Sequence, residues 1–103
     1  MNIQKMMKQV QKAQEQMQAV QAELANKTVE ATAGGGMVKV VVSGDGTLHS
    51  ITLDPEVVDK DDVEMLQDLI VAAINEAKRR ASEMASAEMQ RAAGSLGLPP
   101  GMI

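Results

Sequence analysis

Neither cysteine nor any aromatic residue occurs in the 103 residues of this chain. Without cysteine there is no disulfide and no thiolate metal site, which fits a reducing cytoplasm. Without Phe, Tyr or Trp, a core must be built from Met, Val, Leu, Ile and Ala. The same absence argues against recognition of single strands or RNA loops by base stacking. The start, MNIQKMMKQ, lacks a continuous apolar run and reads as neither a signal peptide nor a membrane span, so an intracellular protein with no membrane partner is expected. The one histidine, His49, has no second His to share a metal and reads as a solvated strand residue. Residues 54–62 are acidic but lack the spacing and terminal Glu of a calcium loop. With no nucleophile–base pair, metal set or cofactor loop, no enzyme, cofactor, metal or small-molecule substrate is expected.

What the chain does have is a glycine-punctuated β-branched stretch, TVEATAGGGMVKVVVSGDGTLHSITL, over residues 28–53. Residues 28–33 alternate with period two, Val29, Ala31 and Ala33 against Thr28, Glu30 and Thr32. Gly34-Gly35-Gly36 supplies a reversal at positive φ. A phosphate cradle would need a helix after the glycines, and a Val-rich strand follows instead. Val38, Val40 and Val42 then oppose Met37, Lys39, Val41 and Ser43, and Asp45-Gly46 signals a second hairpin. Ile51 and Leu53 share one face of a third strand. Leu48 is out of phase with them, which predicts a bulge near His49. The stretch is an antiparallel three-stranded meander.

Two long helices flank it. In residues 1–26, Ile3, Met6, Val10, Ala13, Met17, Val20 and Leu24 are spaced 3-4-3-4-3-4, a coiled-coil seam. Such a helix is about 35–40 Å long, so part of it projects beyond the sheet. Its seam asks for another helix, either the chain's own second one or a partner subunit's. Asp54-Pro55 stops the third strand. Asp61, with Glu64 three residues on, reads as the cap of a helix over roughly 62–91. Leu66 and Ile70 belong to its apolar first half, which should pack on the sheet. Its second half thins to Ala and Met and is expected to project. Residues 1–93 thus form one α+β domain of order α-β-β-β-α, and residues 94–103, GSLGLPPGMI, read as a flexible tail. Val38, Val40, Val42, Ile51, Leu53, Leu66 and Ile70 are the candidate core and dimer contacts, a second copy being needed to complete burial over so small a sheet.

The net charge of −4 conceals a segregation. Residues 1–27 carry net +2, residues 54–68 carry net −6, and residues 69–103 carry net +1. Helix polarity puts the start of the chain and the 78–91 region at the free ends, the two basic regions. Lys5, Lys8 and Lys12 lie opposite the apolar seam. Lys78, Arg79, Arg80 and Arg91 stand on the second helix, though Glu76 and Glu83 are placed to neutralise part of that cluster.

In VEATAGGGMVKVVVSGDGTLHSITLDPEVV, then DDVEMLQDLIVAAINEAKRRASE, then GLPPGM, the sequence resembles the YbaB/EbfC family of bacterial nucleoid-associated proteins. The resemblance implies a tweezer-like homodimer that binds duplex DNA with its protruding helices, in a cytoplasmic, nucleoid-associated setting. It transfers no contact signature, so charge placement alone nominates Lys5, Lys8, Lys12, Lys78, Arg79, Arg80 and Arg91 as phosphate contacts. A rival reading is a protein-interaction module whose Met-rich helical cleft holds a partner helix, the basic residues then serving solubility.

Overall fold

The computed structural model describes residues 2–95. Helix α1 spans Ile3–Asn26, strands β1, β2 and β3 span Thr28–Ala33, Val38–Ser43 and Leu48–Leu53, and helix α2 spans Val63–Ser95. The order is the expected α-β-β-β-α. The expected tail beyond Ser95 lies outside the described residues, and α2 runs on through Gly94 rather than stopping at Arg91. Asn2 caps α1 by accepting from the Lys5 amide at 3.2 Å. Asp62, one residue later than expected, caps α2 by accepting from the Met65 amide at 3.2 Å.

The sheet order is β1-β2-β3, antiparallel throughout. Gly34, Gly35 and Gly36 turn β1 into β2 at φ of 63°, 68° and 91°, a left-handed run open to glycine at little cost. In the second hairpin, the Asp45 carboxylate accepts from the Thr47 amide at 3.1 Å and from the Ser43 hydroxyl. Those bonds to the charged form hold the carboxyl below its ordinary pKa, the Ser43 bond having the largest effect. Val41 pairs with Ser50 and Val42 with Leu48, so His49 is the extra residue of a bulge. That bulge brings Leu48 back onto the face shared by Ile51 and Leu53.

Val29, Ala31 and Ala33 pair with Val42, Val40 and Val38 and share their face. On it, Val38, Val40 and Val42 are wholly buried beneath Ala73, Ala77 and Ala81 of α2, with Leu53, Leu66, Leu69 and Ile70 packed around them. Val57, in a 3-10 turn over Pro55–Val57, closes the margin of this core. A second, smaller cluster joins Val20 and Leu24 of α1 to Met84, Ala85, Met89 and Ala92 of α2.

This packing corrects one expectation. The second half of α2 does not stand free: Ala77 and Ala81 lie directly on the sheet, and residues 84–92 are covered by the last turns of α1. Alanine on that stripe marks close approach of helix to sheet, not loss of contact. Past Ala81, α2 leaves the sheet paired with α1, and the molecule is 71 Å long by 21 Å and 16 Å.

Candidate nucleic-acid interface

The anchor of the projecting helix is Gly44. Its amide donates to the carbonyls of Leu24 at 2.9 Å and Lys27 at 2.8 Å, tying the β2–β3 turn to the end of α1. A Cβ there would lie 2.8 Å from Leu24 Cδ2, 2.8 Å from Met84 Cε and 2.9 Å from the Leu24 carbonyl. Beside this joint, Lys27 Nζ donates to Glu88 Oε1 at 2.8 Å, and Arg91 donates to the same oxygen at 3.2 Å. The Glu88 side chain is only 12% exposed, and the Lys27 bond, with Arg91 adding to it, holds its carboxyl below the ordinary value. Sequence reasoning missed this junction. Lys27 and Glu88 are 61 positions apart, so no local spacing announces them.

From the joint α1 runs outward. Its first twelve residues, 3–14, contain no carboxylate, and Lys5, Lys8 and Lys12 lie exposed along one face with no ion-pair partner among the described residues. On the opposite face Ile3, Met6 and Val10 of the seam, with Met7 beside them, are bare, each at least half exposed. The acidic run lies at the other end of the molecule. Asp54 follows β3 and donates its amide to the Met37 carbonyl, next to the triple-glycine turn and away from the β2–β3 turn that holds α1.

The basic residues of α2 are placed differently from the arrangement expected. Arg79 donates to Glu76 Oε1 at 2.6 Å and to Oε2 at 3.0 Å, and also reaches Glu83. Arg80 donates to Glu76 Oε1 at 3.1 Å and to the Glu30 carbonyl on β1 at 2.7 Å. The Arg79 bonds, with Arg80 adding to them, lower the Glu76 pKa from 4.5 to about 2, and Arg79 is raised in return. Lys78 is exposed and has no ion-pair partner among the described residues. Following the helix rise from Lys12 to Lys27 and from Glu88 back to Arg79, the two basic groups are roughly 35 Å apart. Arg91 lies nearer the α1 group, its side chain 73% exposed. The structure therefore brings together Lys5, Lys8 and Lys12, places Arg91 behind them, and sets Lys78, Arg79 and Arg80 over the sheet. Of the core candidates, Val38, Val40, Val42, Leu53, Leu66 and Ile70 lie in or against the main cluster, whereas Ile51 is 41% exposed.

Two helices on a three-stranded meander, one of them extended as a lysine-bearing arm, define a small α+β scaffold with a basic end and an acidic end. The chain belongs to the YbaB/EbfC DNA-binding family, whose family model matches residues 1–96. That family comprises nucleoid-associated DNA-binding proteins and is not an enzyme family. The chain is 57% identical over 102 residues to a nucleoid-associated protein of Acetivibrio thermocellus, covering 99% of this chain and 90% of that one. It is 56% identical over 98 residues to a nucleoid-associated protein of Pelotomaculum thermopropionicum, covering 95% and 93%. The fold is shared with the crystal structure of an uncharacterised protein, HP0035, from Helicobacter pylori, at a TM-score of 0.72 and 20% identity over 81% of this chain and 87% of that one. Among the described residues no helix is long and apolar enough to cross a membrane.

Proposed function

We propose that this protein is a cytoplasmic, nucleoid-associated, homodimeric DNA-binding protein that grips duplex DNA through phosphates. Such a grip would influence nucleoid organisation and gene expression. The observation that carries the reading is the unpaired lysine face of the α1 arm, at the end of the molecule opposite the acidic run. Phosphate contacts from Lys5, Lys8 and Lys12 position the protein and carry little sequence information. Arg91 extends this surface toward the joint, and Lys78 is an outlying contact. Arg79 and Arg80 act mainly by holding Glu76, Glu83 and β1, with phosphate contact secondary.

Dimerisation is supported by what α2 leaves uncovered. Leu48, Ile51 and Leu53 share the face of Val38, Val40 and Val42, yet α2 packs on β1 and β2, leaving Leu48 at 40% and Ile51 at 41% exposure. A second copy seated on this half of the sheet would bury them, cover the β3 edge and present two lysine arms. A helix-holding cleft has less support, because every residue lining the bare apolar groove of the arm comes from α1 alone.

The test is duplex binding at low salt by two charge-reversed proteins, with mass in solution measured alongside. Lys5→Glu/Lys8→Glu/Lys12→Glu should lose binding while remaining a dimer, and Arg79→Glu should lose much less. Equal binding by the triple variant and the parent would reject the reading.

A further inference from the structure

The arm is held at its inner end. Val20 and Leu24 are the buried residues of α1, packed on Met84, Met89 and Ala92 of α2, while residues 3–10 are all exposed. From Val20 out to Lys5 the helix rises about 22 Å, so a tilt of about 10° at the inner end carries Lys5 about 4 Å. Phosphates succeed one another every ~3.4 Å of axis along a strand. A tilt that small therefore moves the lysines a whole phosphate out of register. Apolar packing leaves the angle soft, because Met84 and Met89 have flexible side chains that adapt to a shifted neighbour. A directional contact is needed, and the joint has one. Lys27, the C-cap of α1, donates through Nζ to Glu88 Oε1 at 2.8 Å, and Arg91, one turn along α2, donates to the same oxygen at 3.2 Å. The Glu88 side chain is sheltered, at 12% exposure.

We infer that Glu88 is a positioning residue for the DNA grip: through Lys27 it fixes the angle of the α1 arm, and so the register of Lys5, Lys8 and Lys12 against the phosphates. The inference rests on the lysine reading above, and Glu88 itself touches no DNA. Arg91 holds the carboxylate from the α2 side, so the bridge has one orientation in place of several. As a charge alone, Glu88 works against the grip. It repels phosphate and occupies two cations that would otherwise attract it. Charge and positioning therefore predict opposite signs when the carboxylate is neutralised, and this makes the role testable.

The test uses the full-length, cysteine-free chain. Nitroxides on Gln4→Cys and Ala87→Cys, diluted into unlabelled protein, report the arm's distance distribution without DNA, and duplex binding at low salt is measured on unlabelled samples. Glu88→Gln should broaden the distribution and bind duplex about three- to tenfold more weakly, in proportion to the fraction of arms in the competent orientation. Glu23→Gln is the control, since Glu23 is exposed beside the same cleft and has no ion-pair partner among the described residues. It removes an equal charge without breaking a bridge, so it should keep the parent distances and bind slightly tighter. Lys27→Met breaks the bridge from the α1 side and should broaden the distances as Glu88→Gln does. Binding by Glu88→Gln equal to or tighter than the parent's would overturn the inference, as would a parent-like distribution in either bridge variant. Failure of the lysine reading looks different. Lys5→Glu/Lys8→Glu/Lys12→Glu would then bind as the parent does, while the distances would still report on the joint.

Discussion

At the residue scale, two side-chain environments govern how the arm and α2 are held. Gly44 sits where a Cβ would meet a backbone carbonyl as well as two side chains, and the carbonyl cannot swing away. Gly44→Val should therefore cost about 1–3 kcal/mol, the usual range for overpacking a filled site. Urea unfolding would show it, and an unchanged midpoint would contradict the tight joint. Glu76 gives a prediction in pH. Its folded pKa of about 2 lies below the ordinary 4.5, so the stability it contributes is present above 4.5 and is lost as pH falls toward 2. Glu76→Gln should accordingly melt below the parent at pH 7, with the two converging near pH 2. A gap that stays constant over that range would mean that the Arg79 and Arg80 bonds are not formed in solution.

At the scale of elements, the alanine stripe decides where α2 lies. Ala77→Leu should cost about 1–3 kcal/mol by lifting α2 off Val40 and its neighbours. Ala87→Leu, on the exposed side of the same helix, should stay within about 0.5 kcal/mol of the parent. Equal effects in thermal or denaturant unfolding would contradict the close helix–sheet contact. This is also where sequence and structure part. The meander was legible, even to the bulge at His49, because period-two alternation and glycine turns are local signals. The last part of the α1 seam was legible as well, Val20 and Leu24 packing on α2, whereas Ile3, Met6 and Val10 of the same seam are exposed. The packing of the first half of α2 on the sheet was legible too, but how far that contact runs was not, because the alanines of its second half, Ala77 and Ala81, read as thinning cover until the sheet beneath them is known. For the same reason the 78–91 region looked like a second free tip. Arg80 reaches a β1 carbonyl 50 positions away, a contact no spacing rule encodes.

For the whole molecule, charge separation along 71 Å matters more than the net charge of −4. An acidic protein can hold a polyanion when its carboxylates are gathered far from its free lysines, although the background field makes binding modest and sensitive to salt. The account's central claim is that Lys5, Lys8 and Lys12 contact phosphates. The most direct measurement is the slope of log duplex affinity against log salt for the parent, Lys8→Gln and Arg79→Gln. Removing one lysine–phosphate pairing should flatten the slope by about 0.9. Lys8→Gln should show that decrement for each arm on the DNA, and Arg79→Gln should keep the parent slope. A flattened slope for Arg79→Gln together with an unaltered one for Lys8→Gln would contradict the account and move the interface to the sheet.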